Sequence, residues 1–124
     1  MSSVAEAAEK AEHYLKLNNK YLVDADTLLK RKDYVQASEK LWGAAAEIVK
    51  VLAAKRGIAL NSHRELYRFV AKLKIELHEP ELLNLFSLAG ALHQNFYEDW
   101  LPPEAVMDHA EAVKELVSKL MKTM

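Results

Sequence analysis

Between Asp33 and Arg56 the chain carries apolar side chains around almost the whole circumference of a helix. Tyr34, Ala37, Leu41, Ala45, Ile48 and Leu52 recur at three- and four-residue steps and form one stripe. Val35, Trp42 and Val49 form a second stripe beside it. A helix with so little surface left for water has to be covered by other helices, so this segment reads as the central rod of a bundle. The rest of the chain can supply the cover: with three glycines and three prolines in 124 residues, it is too poor in turn formers for a β architecture.

Four further helical segments follow from the same periodicity. The first runs from about Ser3 to Lys30, with Val4, Ala7, Ala8, Ala11, Leu15, Leu22, Ala25, Leu28 and Leu29 in phase, and Asn18-Asn19 is its weakest point, where a kink is expected. Asp33 is a fair N-cap for the central segment, and Gly57 suits the left-handed residue that ends it. Ser62 and Glu65 read as a capping box for a third helix, about His63 to Leu77, with Leu66, Tyr67, Val70, Leu73 and Leu77 inward. Pro80 suits the first turn of a fourth, about Glu81 to Tyr97, which buries Leu82, Leu85, Phe86, Ala89, Leu92 and Phe96. Pro102-Pro103 forces a corner before a fifth, about Pro103 to Lys122, with Val106, Ala110, Val113, Val117 and Leu120 inward. The expected fold is all-α: one domain over residues 1–124, an up-and-down bundle of about five helices with short connections.

Composition narrows the function classes. No cysteine is present, which excludes disulfides, thiolate chemistry and Cys-ligated metal sites. No apolar run approaches the roughly 20 residues that cross a bilayer, and the first residues lack an apolar signal core, so a cytoplasmic location with no membrane partner is expected. No glycine-rich phosphate loop, nucleophile elbow, paired-carboxylate spacing or His-x-x-x-His pair occurs, and no metal or other cofactor is expected.

Seventeen basic and eighteen acidic residues balance overall but not locally. Lys55, Arg56, Arg64, Arg68, Lys72 and Lys74 share a window with a single acid, Glu65, whereas Ile75 to Val113 holds eight acids and no Lys or Arg. Such segregation reads either as solvated faces that pair within the fold or across a dimer, or as a local anion site where the third helix begins. His63, Arg64 and Arg68 are candidates for that site. A second candidate cluster is His93, Asn95, Tyr97 and Glu98: His93 and Tyr97 share a helix face distinct from the Leu92–Phe96 stripe and suit a pocket mouth or a dimer seam. Each also has a structural reading, in which the ring or amide satisfies neighbouring backbone. Gly43 inside a helix implies a close approach, and Lys50 an apolar stem with its charge at the rim.

Asp33-Tyr34, Ala37, Ala44-Ala45-Ala46-Glu47, Lys50, Gly57 and Ser62-His63-Arg64-Glu65-Leu66 together resemble the HEPN superfamily. More narrowly, the stretches Ala37 to Ala45 and Leu92 to Glu98 are similar to the small archaeal PaREP family. The resemblance implies a HEPN-like bundle, a homodimer, and a binding or interaction role toward a nucleotide, a nucleic acid or a nucleotidyltransferase partner. It also implies an alternative, a metal-independent ribonuclease in which Arg steadies phosphate charge and His moves a proton. Arg56 and His63, with six residues between them, have the spacing for it, but they lie at the junction of the second and third helices; the second half, where the ribonucleases carry the pair, has no Arg between Ile75 and Val113.

Overall fold

The computed structural model describes residues 3–124 and contains five helices and, among those residues, no strand. They are α1 (Ser3–Lys30), α2 (Tyr34–Lys55), α3 (His63–Glu76), α4 (Leu82–Glu98) and α5 (Pro103–Met121). No helix is long and apolar enough to cross a membrane.

α2 is the hub. It packs against α1, α3, α4 and α5, whereas α1 lies along α2 and reaches α5 through the Asp26–Lys114 ion pair at 3.2 Å. Fourteen of its 22 residues are buried, among them Leu41, Ala44, Ala45, Ile48 and Val49 at no measurable exposure. Six of the fourteen are alanines, whose short side chains let neighbouring backbones come close without leaving voids. The larger core residues come from the partners: Leu66, Val70 and Leu73 of α3, Leu82, Phe86 and Leu92 of α4, and Val106, Leu116 and Leu120 of α5.

The caps follow the local chemistry. Asp33 accepts from the Gln36 amide at 3.2 Å, and Gly57 takes φ +72° where the α2 C-terminus turns away. Ser62 Oγ accepts from the Glu65 amide at 3.1 Å, while the Glu65 carboxylate reaches back to the Asn61 amide at 2.6 Å, one residue before the usual capping-box partner. Pro80 lies just before α4 and not in its first turn, because His78 takes a left-handed conformation (φ 53°) and its turn ends α3.

Packing revises one expectation and bears out another. α1 is unbroken through Asn18-Asn19: Asn18 is fully buried against α2 and donates to the Ala44 carbonyl at 2.7 Å, so the residue expected to weaken the helix joins it to the hub. The close approach at Gly43 comes from an aromatic ring, since a Cβ there would meet Tyr21 Cδ2 at 2.8 Å. Gly43→Ala is therefore expected to lower the unfolding free energy by about 1 kcal/mol net, overpacking exceeding the roughly 1 kcal/mol that alanine gains in a helix. Urea denaturation measures this, and a raised midpoint would contradict it.

Candidate functional site

The α2 face that carries Glu39, Gly43, Glu47 and Lys50 at successive turns does not disappear under another helix along its full length. It forms the floor of a groove of about 530 Å³, walled by Tyr21 of α1 and closed at one end by Asn61, Ser62 and His63, where α3 begins. The groove size falls within the range of small-molecule sites, about 300–1,000 Å³.

At that closed end four rings meet. Trp42, 7 % exposed, stacks on His93 with centroids 5.2 Å apart and planes at 30°. His63 lies edge-on to both, 5.2 Å from Trp42 and 5.0 Å from His93. Tyr97, 72 % exposed, extends the row with its centroid 5.3 Å from His93. His93 Nδ1 lies 2.7 Å from Glu39 Oε1. A carboxylate only accepts, so Nδ1 carries the hydrogen of this bond, which leaves Nε2 as the acceptor of the neutral ring. α2, α3 and α4 thus each contribute to one imidazole pair backed by an indole and oriented by a carboxylate. Those are parts that can hold an anion, stack on a flat ligand or move a proton.

The groove wall contains a second unusual group. Glu47 is nearly buried, and burial raises its carboxyl pKa above the usual range, against the opposing pull of Lys50 and His13. Its Oε1 is 3.6 Å from Lys50 Nζ, while Oε2 is buried with no hydrogen-bond partner, as is Asn18 Oδ1 on the same α1–α2 seam. Lys50 behaves as expected, its stem partly covered and its ammonium over the Tyr14 ring at 5.8 Å.

The seven residues singled out in the sequence divide. His63, His93 and Tyr97 come together in the ring cluster. Asn95 is fully buried and braces the α4–α5 corner: its Oδ1 accepts from the Trp100 and Leu101 amides at 2.8 and 2.7 Å, and its Nδ2 donates to Ser38 Oγ at 3.0 Å. Glu98 is exposed and accepts from Gln94 at 2.8 Å. Arg64 and Arg68 are exposed on α3. Arg56 and His63 do not share a groove. The Arg56 guanidinium is held by Glu76 at 2.7 and 3.3 Å, which also holds the Glu76 carboxyl below its ordinary pKa, and Arg56 lines a separate, apolar groove between α1 and α2. Glu39 and Glu47 were not foreseen as site residues; Glu39 is 54 residues from His93, and no local spacing signals that contact. Among the described residues no group of three or more His, Asp or Glu side chains is placed to hold a metal ion.

The folded state holds the Glu47 proton more tightly than the unfolded chain does. This group's contribution to stability is therefore greatest below the ordinary glutamate pKa and falls as pH rises through the raised value. Glu47→Gln is expected to gain stability relative to the parent as pH rises above the ordinary glutamate pKa, read from unfolding midpoints at each pH; a relative loss as pH rises would contradict it.

Comparisons with known proteins agree on the fold and leave function open. No curated protein matches the chain. A crystal structure of a Sulfolobus solfataricus protein, solved as a structural-genomics target, is similar with a TM-score of 0.76 and 25% identity, over 86% of this chain and 94% of that one. The model of the archaeal PaREP1/PaREP8 family matches residues 13–117. The chain belongs to that family.

Proposed function

We propose that this protein is a binding module that takes a nucleotide in the groove beside Trp42. The observation that carries this reading is the meeting of His63 and His93 on the Trp42 ring at the mouth of the α3 N-terminus. Phosphate oxygens are served there by the His63 imidazole and by the leading amides of α3, which precede its first intrahelical bond and lie at the positive end of its dipole. Lys40, 3.7 Å from Asp24, and Lys50, 3.6 Å from Glu47, stand along the same wall and offset the charge of the Glu39 and Glu47 carboxyls there. The base has the half-buried Tyr21 ring to lie against, and Glu47 as an acceptor for its N–H donors.

The HEPN-like kinship belongs to the same reading and is supported by the five-helix order around α2. So does a homodimer. Its support is the second groove, about 750 Å³ and lined by Val4, Ala8, Leu15, Val51 and Met124, where Val4 is 77 % exposed on a helix that lies along α2. Sedimentation of the parent is expected to give a two-chain mass and Leu15→Glu a one-chain mass; a one-chain parent contradicts the dimer.

Nucleotide binding is tested with the four ribonucleoside monophosphates in a Trp100→Phe background, where Trp42 is the remaining indole. At least one is expected to change Trp42 emission saturably, and His63→Ala is expected to weaken it about tenfold, the loss of one charge-assisted contact. No saturable change with any of the four, or full affinity in His63→Ala, would overturn the reading.

A further inference from the structure

The basic window did not find its partners inside the fold. Of its six cations, only Arg56 is ion-paired to the acidic window, through Glu76. Arg64, Arg68 and Lys72 are exposed and, among the described residues, have no hydrogen bond or ion pair. Their four-residue spacing places them on one ridge of α3, at steps of about 6 Å along the axis.

The surroundings leave that ridge positive. The one acid within the ridge, Glu65, is turned back onto the Asn61 amide. Glu76, the nearest acid beyond it, is held by Arg56 and also feels Lys72 one turn earlier, so the ridge is most positive at Arg64 and Arg68. α4 packs against α3, and from Leu82 to Leu92 it carries no ionisable side chain; what it exposes there is Asn84, Ser87 and Leu88. Lys74, on the same helix, adds to the charge. At the N-terminal end of the ridge, the residue before Arg64 is the exposed His63, from which a ring row runs through the half-buried His93 to the exposed Tyr97.

We infer that the α3 ridge binds the phosphate backbone of a single-stranded polynucleotide whose first nucleotide occupies the groove. Cations that track a backbone, with exposed rings at one end for bases to stack on, are what sequence-tolerant single-strand binding needs. The rings at the end of the ridge favour the single strand over duplex, whose stacked and paired bases do not offer their faces to them. The inference rests on the nucleotide reading for the placement of the first residue, and it names the ligand class as an oligomer.

The test uses the full chain and a labelled homopolymer of about ten nucleotides, as RNA and as DNA, with anisotropy read over a salt series. Three phosphates neutralised on a single strand predict a slope of log affinity against log salt of about −2, and each charge removed flattens it by about 0.7. Arg64→Gln/Arg68→Gln/Lys72→Gln is expected to lose most of the slope and at least tenfold in low-salt affinity. Its response to the monophosphate should stay within twofold of the parent, and Arg64→Lys/Arg68→Lys should keep the slope. RNA and DNA binding alike assigns recognition to the backbone; RNA alone adds a ribose contact to the same ridge. Four results would overturn the inference: an unchanged slope in the triple variant, preference for duplex, loss of a two-chain mass in that variant, or ridge-dependent capture by phosphatidylserine vesicles without oligomer binding. Monophosphate bound with no gain for the oligomer removes the ridge and leaves the groove reading intact. Ridge-dependent oligomer binding without any monophosphate response removes the groove reading and the placement of the first nucleotide.

Discussion

Everything in this molecule is arranged around a helix that keeps one narrow face, from Glu39 to Lys50, open to water and buries most of the rest. α2 is buried by contact with each of the other four helices, and its alanines make that geometry feasible. Helix axes pack at about 8–10 Å depending on the side chains between them, and a rod surrounded on several sides needs small residues at the closest points. Larger side chains from α3, α4 and α5 then fill the gaps, so that Phe86, Leu92 and Leu116 are buried completely. α1 is the exception: it seals one flank with Ala11, Asn18 and Ala25 and meets α5 at its rim, where Asp26 pairs with Lys114.

The groove is a consequence of that asymmetry. α1 covers one flank of α2, and α3 begins only after the Ile58–Asn61 link, so the α2 face that bears Glu39, Gly43 and Glu47 is left open between them. Polar groups at the edge of a hub are held more tightly than polar groups on a loop. Glu39 and Trp42 stand on the most enclosed helix of the bundle, His63 on a capped first turn, and His93 on a helix whose other face carries Leu85 and Phe86 into the core. Their arrangement is therefore set by core packing, which gives the imidazole pair a fixed geometry before any ligand arrives. Glu47 shows the cost side of the same arrangement, with a carboxyl oxygen buried without a donor.

The architecture was readable from the sequence because hydrophobic period and cap chemistry are local signals. Asp33, Gly57, Ser62 and Pro103 sit at the helix ends they were expected to mark. The site was readable only in part. His63 and His93 were singled out separately, one by position at a helix start and the other by polarity within an apolar helix, and nothing in either signal predicted that their rings would touch. Asn95 shows the converse limit: a polar residue among apolar ones looks like a site residue, yet its amide holds the turn into α5. Asn18 misled in the same way, because helix propensity counts only local costs while the Ala44 carbonyl supplied a distant partner.

The central claim is that α2 is the least separable part of the fold, with the groove hung on its rim. Native-state hydrogen exchange addresses it most directly. The α2 amides from Leu41 to Ala54 are expected to exchange only through global unfolding, with a protection free energy equal to that from denaturant titration, while the first turns of α1 exchange through local fraying. If the α2 amides instead open as readily as those at the start of α1, the hub does not hold the bundle together and the account of the groove fails with it.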